Sequence, residues 1–118
     1  MNNIEETIRA LIAASYSNTF IGDGSIDMDD CQWIRADSGI SRVHFDKETY
    51  DYPKYSIYVR ARNNADAKQK VNDIYHMLHN YVGDNFVILT DRLPRFVGRD
   101  AKDRAIYSFR VEYQLGGY

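Results

Sequence analysis

The chain predicts an α+β domain: a mixed or antiparallel sheet of four to five strands, two helices packed on one face, and a long loop or hairpin between the first strands. Three observations carry this reading. The segment from Arg104 to Leu115 alternates apolar and polar residues without a break, Tyr55 to Arg62 does the same before running into a helical stretch, and Ile4, Ile8, Leu11 and Ile12 recur at helical spacing near the start. Period-two alternation marks a strand with one face on a core, whereas apolar residues three and four apart mark an amphipathic helix.

Residues 3–15 predict the first helix. Glu5 and Glu6 fall in its first turn, where the helix dipole favours acids, and Asn2 or Asn3 can cap it. Ser17-Asn18 ends it, and Thr19-Phe20-Ile21 is a short strand before the turn Gly22-Asp23-Gly24-Ser25. Cys31 to Arg35 predicts a second strand and Arg42 to Phe45 a weaker one. The surrounding Asp, Ser, Gly and Tyr residues of 22–52 are typical of long loops or hairpin tips. A loop of that length in a small domain is usually functional.

In the strand Tyr55 to Arg62, residues Tyr55, Ile57, Val59 and Ala61 share one face and Ser56, Tyr58, Arg60 and Arg62 the other. Asn63-Asn64-Ala65-Asp66 is a helix N-cap signature; Ala67, Val71, Ile74, Tyr75, Leu78 and Val82 line one helix face, and Gly83 closes it. Asn85 to Thr90 is the next strand, and its apolar run Phe86–Leu89 predicts a central position. Pro94 lacks an amide hydrogen, so the segment before Gly98 reads as an edge, a strand start or a loop. Gly98 and the charged run Arg99–Arg104 then turn the chain into the last strand.

At 118 residues and 44% hydrophobic content, residues 1–118 form a single domain. No apolar run has transmembrane length and the N-terminus lacks a signal-peptide pattern, so no membrane partner is expected. Cys31 is the lone cysteine, which fits a reducing compartment such as the cytoplasm. A net charge of −2 argues against nucleic-acid binding driven by phosphate neutralisation. The charge is uneven, with four basic and nine acidic residues in 1–50 (−5) and 11 basic and 8 acidic in the rest (+3).

Little here resembles catalytic chemistry. Asp23, Asp27, Asp29 and Asp30 cluster, but a calcium loop needs Gly at its sixth position and Glu at its twelfth, where Met28 and Ile34 stand. His76 and His79 lie three apart without a third ligand in motif spacing, and Cys31 beside Trp33 reads as a small core residue. No nucleophile elbow, zinc motif or paired catalytic carboxylates is present, so neither an enzyme nor a cofactor is expected. Ten tyrosines are many for this length, and Tyr50, Tyr52, Tyr55 and Tyr58 crowd one region. That excess suits either a protein interface or edge strands.

The segment Tyr58-Val59-Arg60-Ala61-Arg62 followed by Ala65 and Ala67 resembles the middle of the siphophage and prophage minor capsid, tail terminator (tail completion) family. Pro94-Arg95-Phe96-Val97-Gly98-Arg99-Asp100, then Arg104 and Tyr107-Ser108-Phe109-Arg110-Val111, is similar to that family's C-terminal signature. The resemblance spans roughly residues 55–115. It implies a non-enzymatic virion protein, made in the bacterial cytoplasm, that assembles as a ring, a hexamer, on the tail tube. Such a ring stops tube polymerisation and docks to the head–tail connector. Its partners are then further copies of itself, the tail tube protein and the connector proteins, with no specific nucleic acid. A ring could remain unassembled until the tail tip is met.

A closed ring needs one patch to meet a different patch on the next copy. Arg95, Arg99 and Arg104 are the candidate basic side of that interface; Asp27, Asp29 and Asp30 are the acidic side, and Tyr50 and Tyr52 belong to the loop that reaches a neighbour. The alternative within the same class is a head-completion adaptor or minor capsid component. From a different class comes a small nucleic-acid-binding domain with Tyr55, Tyr58 and Arg60 on a stacking sheet face.

Overall fold

The computed structural model describes residues 4–22, 24–36 and 53–115, and at positions 91, 92 and 115 the backbone alone. In chain order the elements are α1 (Ile4–Ala13), β1 (Thr19–Ile21), β2 (Cys31–Ala36), β3 (Lys54–Ala61), α2 (Asn64–Leu78), β4 (Tyr81–Val82), β5 (Phe86–Arg99) and β6 (Ala105–Leu115). The expected strand over Arg42–Phe45, and Tyr50 and Tyr52, lie outside the described residues.

Among the described residues six strands form one mixed sheet in the order β1-β2-β3-β6-β5-β4, against the expected four to five. β1 runs parallel to β2, and every other pairing is antiparallel. The alternating strand β6 is central because both its edges are used: Ile57 pairs Phe109 on one side, and Ile88 pairs Tyr113 on the other.

The inward face follows from the alternation. Tyr55, Ile57, Val59 and Ala61 of β3 and Ala105, Tyr107, Phe109, Val111 and Tyr113 of β6 are buried in one cluster. Ile8 and Ile12 of α1 and Ala67, Val71, Ile74 and Leu78 of α2 join the same cluster, so both helices cover one face of the sheet. Each fully buried Ile or Leu stabilises the fold by about 1.5–3 kcal/mol through apolar burial. Asn63 caps α2 as expected, its side-chain oxygen accepting from the Asp66 amide at 2.8 Å.

Two expectations need correction. α2 ends at Leu78, not at Gly83: the His79 amide closes the last turn on the Tyr75 carbonyl at 2.8 Å, and Asn80 adopts φ 60°. That left-handed residue reverses the chain, freeing Tyr81 and Val82 to pair with Ile88 and Val87 as β4, and Val82 is exposed. Gly83 instead lies under the Phe86 ring, where a Cβ would meet ring carbon at 2.2 Å.

The second concerns β5, which does not stop near Thr90 but runs through Pro94 and Gly98 to Arg99. Register shifts between Thr90 and Arg92, Arg92 and Arg95, and Phe96 and Gly98 let it follow β6 without a regular ladder. Proline is tolerated because no described strand pairs with the outer edge of this half. The apolar run Phe86–Leu89 is thus one strand in from the edge, beside a β4 of only two residues, and the turn into β6 spans Asp100–Arg104.

Candidate functional site

The acidic loop before β2 is pinned by arginines of its own chain. Asp27 accepts from Lys102 Nζ at 2.7 Å and from Arg104 Nη1 at 3.0 Å. Asp29 lies 3.4 Å from the same Arg104 nitrogen and 2.9 Å from Arg62 Nη2. Arg104 Nε also donates to Asp100 at 2.9 Å, and Asp100 is 3.5 Å from Arg60 Nη1. Beneath them Arg60, nearly buried on the face opposite the helices, donates to the Met28 carbonyl at 3.1 Å and to the Ile26 carbonyl. Its guanidinium lies over Trp33, whose other neighbour is the stacked ring of Tyr58.

The charges in this latch hold one another ionised. Hydrogen bonds from Lys102 and then Arg104 keep the Asp27 carboxyl below its ordinary range. Burial pushes Asp100 upward, but the Arg104 amide and guanidinium and the Lys102 amide outweigh it, and the net shift is downward. Burial disfavours the Arg104 charge, and Asp100 and Asp27 more than restore it.

A polar cavity of about 360 Å³ opens where α1 ends, lined by Ser15, Tyr16, Ser17, Asn18, Asp30, Gln32, Ala61, Asp66 and Lys70. Gln32 is its inner wall. Its Nε2 donates to the Thr19 hydroxyl at 2.8 Å and the Tyr16 carbonyl at 3.1 Å, which fixes the amide orientation. The buried Oε1 is left with no hydrogen-bond partner among the described residues. Lys70 donates to the Arg60 carbonyl at 3.1 Å, and burial lowers its pKa.

On the far side of the sheet, the outer half of β5 carries Leu93, Phe96 and Val97, all exposed, with Arg95 among them. Phe96 leans edge-on against Tyr107. Among the described arginine side chains, Arg95 alone has no ion pair, hydrogen bond or ring contact. Arg99 pairs with Asp103 at 3.7 Å in the turn.

Of the residues singled out from sequence, the structure therefore brings Asp27, Asp29 and Arg104 together inside one chain. It places Asp30 on the rim of the cavity and Arg95 on the opposite sheet edge. Tyr55 faces the helices, and Arg60 is enclosed by carbonyls and Trp33, so the sheet face proposed for base stacking is not assembled from those two. Sequence reasoning missed Gln32 and Lys70. Gln32 had a signal: a polar residue at inward parity with Ile34, inside the run Cys31-Gln32-Trp33-Ile34.

No helix among the described residues is long and apolar enough to cross a membrane. No curated protein is significantly similar to the chain. A family model described as bacteriophage tail terminator protein matches residues 13–115, which takes in every strand and all of α2. The chain belongs to the bacteriophage tail terminator family, a family of structural proteins.

Proposed function

We propose that this protein closes the head-proximal end of a phage tail as a ring of identical copies, six in number. The ring ends polymerisation of the tail tube and presents a surface to the head–tail connector. As a tail protein it belongs to the virion, and it is made and assembled in the host cytoplasm. Family membership over residues 13–115 carries this reading.

The architecture supports it physically. A ring requires two different patches on each copy. The molecule has two dissimilar surfaces: the polar cavity beside β2, the end of β3 and the start of α2, and the apolar outer half of β5.

The test is electron microscopy of tail tubes from a phage lacking this gene, before and after adding the purified protein. The expected result is a discrete ring at one end of each tube, with tube length frozen. Bare tubes that keep growing would overturn the reading and move the protein to the head side of the joint.

A further inference from the structure

We propose that Arg95 of one copy enters the polar cavity at the end of α1 of the next copy, making this contact the repeating joint of the assembly. The inference rests on the ring reading above and specifies its surfaces.

The cavity is built for a cationic donor. Gln32 is 1% exposed, and its Oε1 is an acceptor without a partner among the described residues. Leaving such an atom unpaired keeps its full desolvation penalty in place. Asp30 and Asp66 add carboxylates to the lining. The C-terminal end of α1 adds the negative pole of a helix dipole, with no basic residue in its last turn. The one cation in the lining, Lys70, has its ammonium on the Arg60 carbonyl. A volume of about 360 Å³ holds a guanidinium and part of its stem, and the five N–H donors of that group suit a polar lining that carries two carboxylates and an amide.

Arg95 is the matching piece. It is exposed and unpaired among the described residues, and it sits amid Leu93, Phe96 and Val97, the first of them 71% exposed. An apolar patch around an arginine has the composition of an interface centre.

The occupant is a second copy because the two features are complementary and lie on opposite sides of the sheet. The cavity lies among the segment that follows α1, the start of β2, the end of β3 and the first turns of α2, and Arg95 lies on the outer half of β5. Copies joined this way meet head to tail, as a ring demands. A two-fold dimer through the β5 edge would instead bring Arg95 against Arg95.

The experiment adds wild-type protein, Arg95→Glu, Asp30→Lys and the double variant R95E/D30K to uncapped tail tubes, scoring ring-capped ends. Circular dichroism checks that each variant is folded. Wild type is expected to cap, each single variant to cap at least about tenfold less often, and the double variant to recover capping because every joint regains opposite charges. Rescue is the decisive readout, since a merely structural defect at either position is not repaired by a change on the far side of the molecule. If wild type caps and Arg95→Glu caps equally well, the joint is elsewhere while the ring reading stands. Two capping-deficient singles with no recovery in a folded double variant would also overturn it. If wild type itself leaves the tubes bare, the ring reading falls and the joint with it.

Discussion

Gly24 shows how one residue is fixed by its surroundings. It sits at φ +83°, and a Cβ there would meet the Trp33 indole at 2.6 Å. Gly24→Ala combines a left-handed backbone with overpacking, and lowers stability by about 2 kcal/mol. Urea unfolding followed through Trp33, the single tryptophan, measures this; an unchanged midpoint would refute it. The latch above that ring predicts acid sensitivity. Asp27 and Asp100 are depressed in the folded chain. Their stabilisation is therefore present above the unfolded carboxyl value of about 3.9 and lost as pH falls through the folded values. Asp100→Asn lacks the Asp100 share at every pH, so its stability is lower at pH 7 and flatter between about pH 5 and 2 than wild type. Parallel curves for the two proteins would show that Asp100 is not a source of the acid limb.

At the scale of the element, local signals and pairing competed, and the outcome depended on which was stronger. The N-cap of α2 was legible because Asn63 and Asp66 are read over a single turn. Asn63→Ala removes the 2.8 Å bond to the Asp66 amide and costs about 1 kcal/mol. Faster hydrogen exchange confined to the first turn of α2 is the expected signature. The other end of α2 was misread because Val82 stands four residues after Leu78 and fits the helical period, while Asn80 turns the chain without an obvious breaker. β5 was misread in the opposite sense. Pro94 and Gly98 look like an end, yet β6 offers a long edge, and three register shifts absorb the misfit. Charge patterning set Asp27 and Asp29 against Arg104 as the two sides of a contact between copies. Sequence separation could not show that they meet within one chain, because the loop returns across the ends of β3 and β6. The cavity was not legible at all: its walls come from the segment after α1, β2, β3 and α2, and no short motif spans them.

At the scale of the whole molecule, a head-to-tail joint makes a prediction that no single subunit can reveal. Cysteines placed on its two sides, Leu93→Cys and Ser17→Cys, leave Arg95 in place and should cross-link only between different copies, because Ser17 lines the cavity and Leu93 is exposed on the outer half of β5. Cys31 does not compete, being fully buried. On tail tubes, either single variant alone should give monomers after oxidation, and an equal mixture of the two should give dimers and nothing larger. The double variant should give a ladder that ends in one closed species, because a rotation that closes leaves no free patch after the last copy. Non-reducing electrophoresis reads all three preparations, and the last rung counts the copies, six on the ring reading. Dimers from Leu93→Cys alone would mean that the β5 edge meets itself, and a ladder without end would mean an open filament. Either pattern would rule out a closed ring built on this joint.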